Sequence, residues 1–316
     1  MNRISFPNIG LDLDVSRVAF TVGNIAIYWY GILITAAVLL CFFIAITRSK
    51  RAGLPSDMVF DTAFAGAIGG FVMARLYYVL FNLDSYTIVT AFTGIRDGGL
   101  AIYGGIIGGF VTAAVYAAVK RVKLAAFADL AASVFLIGQA IGRWGNFFNQ
   151  EAYGAPTAGS LPWGMTGDRI AADPLVYLAG ENALVHPCFL YESLWCVVGF
   201  FVISQVWRKR KYDGQVFLAY IGWYGFGRFF IESIRTDSLF IGEMKISQIV
   251  AAASVIVAVL LLVLFRKRTK LYKNTDESEY LLAHYDEILK LKQEKKSAKR
   301  EYAKRARELR KLQQGE

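Results

Sequence analysis

The chain has 316 residues, of which 55% are hydrophobic and 19% are charged, and its mean hydropathy is +0.40. A soluble domain of this size has about 25% charged residues, so the composition excludes an ordinary soluble enzyme. The net charge of +10 could suggest nucleic-acid binding, but residues 266–316 hold 16 Lys and Arg against 9 Asp and Glu. A basic tail after an apolar run is typical of membrane topology and contact with anionic lipid, so we expect no nucleic-acid partner.

The first 22 residues contain no segment typical of a cleavable signal peptide. Asp12 and Asp14 interrupt them, and no short apolar core precedes a small-residue cleavage site. We therefore expect residues 1–22 to form an extracytoplasmic arm, and the first apolar run to direct insertion.

Seven apolar runs follow, each long enough for a helix to cross about 30 Å of hydrocarbon. The sequence therefore predicts an all-α polytopic membrane protein with seven transmembrane helices. The predicted spans are residues 23–46, 57–81, 99–119, 124–143, 187–206, 215–235 and 246–265. Glycines crowd the second and third runs, which indicates close helix packing.

Basic clusters follow every second run, at residues 48–51, 120–123, 208–211 and 266–270. The other connections contain acidic residues and few bases. By the positive-inside rule, we expect an outside N-terminus and a cytoplasmic C-terminus. Residues 144–186 would then form a long extracytoplasmic loop.

The segment after the last run is rich in Glu, Lys and Arg. We expect a cytoplasmic helix within residues 275–312, in a basic tail covering 266–316, separate from a catalytic membrane domain at 23–265. Cys41, Cys188 and Cys196 lie in or beside apolar runs without a metal or disulfide spacing, so they are expected to be small buried hydrophobic residues.

The sixth run has four polar residues on one helical face. Tyr224, Arg228, Glu232 and Arg235 are spaced i, i+4, i+8 and i+11, which places them in a stripe about 80° wide. Lipid would not tolerate this stripe, so it must face the bundle interior. Ionisable residues inside apolar runs are costly and are therefore candidates for function.

Further ionisable residues lie in or beside other runs: Arg75 in the second, Arg143 at the end of the fourth, and Glu192 in the fifth. One interpretation is structural, with buried ion pairs such as Glu232 with Arg235 or with Arg75. The other is functional: the four arginines outnumber the carboxylates, so we expect unpaired positive charge that binds an anion. The planar guanidinium group suits phosphate in particular.

The run GRWGNFFNQEAYG, from Gly142 to Gly154, places Arg143, Asn146, Asn149 and Glu151 at the exit of the fourth run. Helix packing does not require two Asn and a Glu at this position. Further motifs are WYG at 29–31, ARL at 74–76, RDGGLAIYGGIIGG at 96–109, LPWG at 161–164 and HPCFLYES at 186–193.

Together these motifs resemble the prolipoprotein diacylglyceryl transferase family over about residues 1–265. The resemblance implies transfer of the diacylglyceryl group of phosphatidylglycerol to the thiol of a lipobox cysteine in a prolipoprotein signal peptide. Glycerol phosphate would be released, and no cofactor or metal is expected. The reaction would occur at the extracytoplasmic side of the bacterial plasma membrane.

The resemblance also implies residue roles, in which Arg143 and Arg228 hold the phosphate. The implied catalytic residues are Arg143, Tyr103 and Arg228. The implied substrate-binding residues are Tyr30, Arg75, Asn146, Asn149, Glu151, Gly154, Tyr224, Glu232 and Arg235.

Tyr103 stands where many members of the family have a histidine that serves as base for the incoming thiol. Three accounts are open. Tyr103 could be the base if neighbouring arginines made its hydroxyl more acidic, the arginines could lower the pKa of the substrate thiol, or Glu151 or His186 could take the proton. We favour the second account, with Tyr103 orienting substrate and His186 a structural residue at a helix start.

Two other classes of protein agree less well with the sequence. An organic-anion transporter would use the same arginines but predicts internal repeats or broken helices, which the sequence does not indicate. A non-catalytic seven-helix scaffold would not explain the surplus of arginine.

Overall fold

A computed structural model of the protein describes residues 3–83, 99, 101–120, 122–157, 161–180, 183–236, 238, 240–242, 244–269 and 293–306. The chain divides into two compact units, Met1–Tyr272 and Lys273–Glu316. In the first unit the helices are α1 (Trp29–Ala52), α2 (Ser56–Leu80), α3 (Ile102–Val119), α4 (Leu124–Asn149), α5 (Asp168–Ala171), α6 (Pro174–Leu178), α7 (Cys188–Lys209), α8 (Gln215–Ser233) and α9 (Ile246–Leu264). The strands are β1 (Arg3–Phe6), β2 (Leu11–Asp14), β3 (Val18–Val22), β4 (Ile25–Tyr28), β5 (Pro156–Thr157), β6 (Thr166–Gly167), β7 (Leu184–Val185), β8 (Phe240–Ile241) and β9 (Met244–Lys245).

The helices agree with the predicted membrane class. In the described part of the chain, five of them, α1, α2, α4, α7 and α9, are long and apolar enough to cross a membrane. Each of the seven predicted runs overlaps one long helix. The apolar part of α3 is shorter, and α8 carries Arg228 and Glu232. The protein is therefore a mostly helical, polytopic membrane protein.

The predicted start of the first span is wrong by several residues. Strands β3 and β4 form an antiparallel hairpin in which Val22 pairs with Ile25, and α1 begins only at Trp29. Gly23 occupies the turn with a φ of 58°, a backbone conformation that a two-residue hairpin turn requires and glycine adopts easily. The apolar residues before Trp29 thus belong to a hairpin.

Short sheets accompany the helices of the predicted all-α fold. Strand β1 pairs with both β2 and β6, and β5 pairs with β7, so the N-terminal arm is joined to the segment before α7. Buried apolar residues hold these strands on the ends of α4 and α7: Ile4, Phe6, Phe147, Met165, Ile170, Val176, Val185 and Phe189. The predicted loop at 144–186 also begins too early, since α4 continues to Asn149.

Helix α4 lies at the centre of the helical core. It packs against α1, α7 and α8, and its buried residues include Leu130, Val134 and Leu136. Helices α2 and α3 pack closely, because a Cβ atom on Gly104 or Gly108 would lie within about 2.5 Å of backbone oxygens of α2. The predicted role of these glycines in helix packing is confirmed.

The second unit contains a helix over residues 293–306, here called α10, whose side chains are almost all exposed. It falls within the predicted tail helix at 275–312. The apolar residues of that prediction, between 281 and 291, lie outside the described residues.

Candidate functional site

Glu192 is the centre of a buried ionic cluster. It lies in the first turns of α7, and its side chain is 4% exposed. Its Oε2 lies 2.5 Å from Arg143 Nη2, and its Oε1 lies 2.7 Å from Arg228 Nη1 and 3.4 Å from Arg235 Nη1. One carboxylate therefore joins the end of α4, the last turns of α8 and the segment after α8.

Glu232 supplies the second carboxylate of the cluster, and its side chain is 2% exposed. Its Oε2 contacts Arg228 Nη2 one helical turn away and lies 3.9 Å from Arg235 Nε. Ser238 donates a hydrogen bond to Glu232 Oε1 at 2.8 Å. The face of α8 predicted from the spacing of its polar residues thus contacts a buried ionic cluster.

The surplus of arginine over carboxylate expected from the sequence does not leave Arg143, Arg228 or Arg235 without a carboxylate partner. Each lies within ion-pair distance of a carboxylate, because a guanidinium without a counter-charge would be very costly at this depth. Among the described residues, three guanidinium groups face two carboxylates, which leaves one net positive charge in this part of the cluster. The side chain of Arg143 is 22% exposed, and each guanidinium has five N–H donors, so donors remain for an anion.

A small cavity, with room for about one water molecule, adjoins the cluster. Its lining includes Glu192 and Arg228 together with Tyr224, and apolar surface from Trp195, Cys196 and Ile231.

The exit of α4 forms a second polar group. Asn146 and Asn149 donate to Glu151 Oε1 at 3.2 and 3.0 Å, and Arg17 Nε donates to Asn149 Oδ1 at 3.2 Å. Gln150 and Ala152, on either side of Glu151, have φ values of 54° and 56°, which are uncommon for residues other than glycine. The chain therefore adopts a costly backbone conformation to place the carboxylate of Glu151 beside the two amides.

Gly154 connects this exit to the ionic cluster. It forms an antiparallel bridge with Arg235, and its N–H donates to the carbonyl of His186 at 2.9 Å. A Cβ atom at Gly154 would lie 2.7 Å from His186 Cβ and 2.9 Å from Cys188 Sγ. Only glycine allows this close approach.

Tyr30 packs directly on α4. A Cβ atom at Gly145 would lie 2.3 Å from Tyr30 Cδ2, so the tyrosine ring fills the space that the missing side chain leaves. Tyr224 stacks on Tyr220 with ring centroids 6.1 Å apart. Helix packing thus holds Tyr30 beside the α4 exit and Tyr224 in the lining of the pocket.

Arg75 and Tyr103 belong to the α2–α3 pair. Arg75 is buried and donates to the carbonyl of Gly99 at 2.9 Å, where a φ of 82° favours glycine. Tyr103 lies in the first turn of α3 and is 64% exposed. The motif residues 96–98 lie outside the described residues.

His186 is held beside the start of α7. Its Nδ1 lies 3.2 Å from the hydroxyl of Tyr191, which also accepts a hydrogen bond from Trp163 Nε1 at 2.7 Å. Burial lowers the pKa of His186 below its ordinary value, so the ring is mostly neutral at pH 7. These contacts fit the structural role favoured from sequence.

Comparison with known proteins identifies the family. The model of the prolipoprotein diacylglyceryl transferase family matches residues 17–264, which is most of the chain. The chain belongs to this family. The match includes α1 to α9, the α4 exit and both carboxylates of the cluster.

Relatives that bear the name phosphatidylglycerol--prolipoprotein diacylglyceryl transferase support the assignment. The protein of Clostridioides difficile (strain 630) is 40% identical over 258 residues, or 81% of this chain and 98% of that protein. The protein of Bacillus cytotoxicus is 37% identical over 255 residues, covering 80% and 93% of the two chains. That of Finegoldia magna is 40% identical over 256 residues, covering 80% and 97%.

Sequence reasoning missed part of the site of this diacylglyceryl transferase family member. It singled out Glu192 as an ionisable residue but gave it no role, and it overlooked Arg17, which donates to Asn149. Glu192 could have been found, because arginines inside apolar runs need carboxylate partners and Glu192 itself lies in an apolar run. Arg17 carried no such signal, since it lies in the polar arm before the first helix.

Proposed function

We propose that this protein transfers the diacylglyceryl group from phosphatidylglycerol to the thiol of the lipobox cysteine in prolipoproteins. The product is a thioether, glycerol phosphate is released, and the reaction is the first step of lipoprotein maturation. The observation that carries the proposal is the convergence of Arg143, Arg228 and Arg235 on two buried carboxylates beside a pocket. Membership of the family supports the reaction class.

In the proposed reaction, the thiolate attacks the carbon of the diacylated glycerol that carries the phosphate ester. The sulfur–carbon bond forms as the carbon–oxygen bond breaks, and the bonding electrons leave on the phosphate oxygen. The phosphodiester thereby becomes a monoester with a second negative charge. Arg143 and Arg228 stabilise this developing charge with guanidinium donors that Glu192 and Glu232 already hold in place.

The remaining predicted residues would bind and shape the substrate. Asn146, Asn149 and Glu151 offer amide and carboxylate groups to the glycerol headgroup, and Gly154 keeps the backbone close to Arg235. Tyr30 and Tyr224 would line the path of the lipid, while Glu232 and Arg235 support the phosphate site. Arg75 would act from α2, through the backbone of Gly99.

For the thiol proton, we favour a thiol whose pKa is lowered by the arginine field. The net positive charge of the cluster would stabilise the thiolate, so a strong base is not needed. Tyr103, exposed in the first turn of α3, would orient the substrate by hydrogen bonding. His186 is engaged with Tyr191, and Glu151 with two amides, which makes both less suited to accept the proton.

We further propose seven membrane spans, with an outside N-terminus, a cytoplasmic C-terminus and the site at the extracytoplasmic side of the bacterial plasma membrane. The alternation of basic clusters supports this orientation. Residues 1–22 would be an outer arm, 23–265 the catalytic membrane domain including the loop at 144–186, and 266–316 a cytoplasmic tail.

The experiment is a transfer assay with phosphatidylglycerol and a lipobox peptide, in which the lipidated peptide is detected by mass. We expect Arg143→Ala to abolish transfer, because losing one preorganised charge at a leaving group costs about 10²–10³-fold. Tyr103→Phe should retain measurable transfer.

Two outcomes would contradict this account. Wild-type protein that binds phosphatidylglycerol but forms no thioether would refute the activity. Complete loss of transfer in Tyr103→Phe, with normal folding and lipid binding, would make Tyr103 the base that accepts the proton of the substrate thiol.

A further inference from the structure

The ammonium group of Lys245 lies against the backbone at the end of α8. Its Nζ donates to the carbonyl oxygens of Glu232, Ser233 and Arg235 at 2.8, 3.1 and 2.6 Å. A lysine ammonium has three N–H donors, so these three bonds use all of them. Neither the predicted site nor the proposed chemistry includes this residue.

The position of Lys245 follows from the hairpin between α8 and α9. Strands β8 and β9 pair in antiparallel fashion, with Phe240 opposite Lys245, and α9 starts at the next residue. Gln248, in the first turn of α9, donates to the carbonyl of Phe229 at 3.1 Å. The hairpin and α9 thus supply donors to carbonyls in and just beyond the last turns of α8, including those of Glu232 and Ser233, which the helix end leaves without intrahelical partners.

Arg235 depends on these bonds because it lies beyond the last helical residue of α8, Ser233. Its backbone keeps one bond to the helix, from its N–H to the carbonyl of Glu232 at 3.2 Å, and is also held by Lys245 on its own carbonyl and by the bridge to Gly154. The neighbouring carbonyl of Ile234 accepts from Ala155 N at 2.6 Å. The direction of the Arg235 guanidinium toward Glu192 therefore rests in part on contacts from outside α8.

Electrostatics give the lysine a second effect. The C-terminal end of a helix carries partial negative charge, which disfavours an anion nearby. Arg228 and Glu232 lie in the last turns of α8 and Arg235 follows it, so a phosphate bound there would meet this negative end. The ammonium of Lys245 offsets the partial charge on three carbonyls at that end.

We propose that Lys245 is a positioning residue for the phosphate site, which holds the Arg235 segment and neutralises the end of α8. This inference rests on the proposed function. Lys245 does not touch the reacting atoms in this account, and it acts through Arg235 and Glu232.

The test compares Lys245→Met, which keeps the length of the side chain without its charge, with Lys245→Arg, which keeps the charge. Lys120→Met is the matched control, since Lys120 is an exposed lysine at the end of α3. Transfer is measured with phosphatidylglycerol and a lipobox peptide, and KM is determined for each substrate. Thermal stabilisation by phosphatidylglycerol in detergent is measured in parallel as a readout that needs no transfer.

For Lys245→Met we expect roughly a tenfold or greater rise in KM for phosphatidylglycerol, because bonds from a charged donor are lost. KM for the peptide should stay within about twofold, since only the phosphate site is disturbed. Lys245→Arg should recover part of the loss, and Lys120→Met should match the wild type. Thermal stabilisation by phosphatidylglycerol should be smallest in Lys245→Met, intermediate in Lys245→Arg and unchanged in Lys120→Met.

An unchanged KM for phosphatidylglycerol in Lys245→Met would overturn the inference. So would equal changes in both KM values with lower thermal stability and no recovery in Lys245→Arg, because that pattern indicates a purely structural residue. Wild-type protein that is stabilised by phosphatidylglycerol but transfers nothing would refute the proposed function alone. The role of Lys245 would then be decided by comparing the lipid stabilisation of its variants with that of the wild type. Absence of both signals in the wild type would refute both.

Discussion

Glu192 is the residue on which the geometry of the site depends most. One buried carboxylate contacts three arginines that come from α4, from α8 and from the segment after α8. Arginine side chains are long and flexible, so a shared anchor restricts where their remaining donors can point. The carboxylate thereby reduces the charge of the cluster and fixes its shape at the same time.

We predict that Glu192→Gln lowers both stability and transfer. The neutral amide turns N–H donors toward guanidinium groups and leaves a buried positive charge without compensation, which typically costs about 3–5 kcal/mol. The midpoint of thermal unfolding in detergent and the rate of peptide lipidation would measure the two effects.

Glu301→Gln is the matched control for that substitution. Glu301 forms an exposed ion pair with Arg305 in α10, at 2.7 Å, and exposed pairs contribute little to stability. We expect it to behave as the wild type. A Glu192→Gln variant with wild-type unfolding and transfer would show that the arginines do not need this anchor.

At the scale of elements, the contact between α1 and α4 positions Tyr30. The absence of a side chain at Gly145 lets the ring of Tyr30 lie against the α4 backbone, immediately before Asn146. The same helix carries Gly142, where a Cβ atom would lie 3.4 Å from Ile34 Cδ1, the flexible end of a side chain. Two glycines of one motif thus have very different steric surroundings.

We predict that Gly145→Ala displaces Tyr30 and impairs transfer, at an overpacking cost of about 1–3 kcal/mol. Gly142→Ala should be tolerated, because Ile34 can adjust by a small rotation. Thermal unfolding and transfer assays of both variants would measure the difference. Equal behaviour of the two variants would contradict this assignment of Tyr30 to a tightly packed position.

The elements themselves were largely predictable, since the length of an apolar run determines whether a helix can span the bilayer. Their ends were less so. The start of α1 was missed because strand β4 (Ile25–Tyr28) is as apolar as the helix that follows it. The end of α4 was missed because its last two turns contain Arg143, Asn146 and Asn149, which bind protein groups inside the fold.

The ion pairing in the site could be predicted only in part. The spacing of Arg228, Glu232 and Arg235 determines that they share a helical face, and this follows from sequence alone. Which carboxylate meets which arginine depends on how α4, α7 and α8 pack, and single-sequence periodicity carries no such information. The sequence therefore indicates a surplus of arginine, and the described residues keep one, but the pairing of each arginine with Glu192 or Glu232 does not follow from it.

At the scale of the whole molecule, the cluster, the pocket and the α4 exit all lie in the unit Met1–Tyr272. The family match ends at residue 264, before the basic tail. The basic residues Arg266, Lys267 and Arg268 belong to the first unit and would still favour a cytoplasmic end for α9 after removal of the tail.

We therefore predict that a chain ending at Tyr272 inserts and transfers diacylglyceryl groups at a rate close to that of the full chain. Membrane-fraction yield and lipidation of a lipobox peptide would be measured for both chains. A correctly inserted but inactive truncated chain would give the tail a role in the reaction.

The central claim is that fixed guanidinium groups bind the phosphate of phosphatidylglycerol. The most direct measurement is an experimental structure of the protein with phosphatidylglycerol bound. The account predicts phosphate oxygens within hydrogen-bonding distance, about 2.7–3.1 Å, of Arg143 and Arg228 while both arginines keep a contact to Glu192. A phosphate bound elsewhere, with both guanidinium groups engaged only by Glu192 and Glu232, would contradict it.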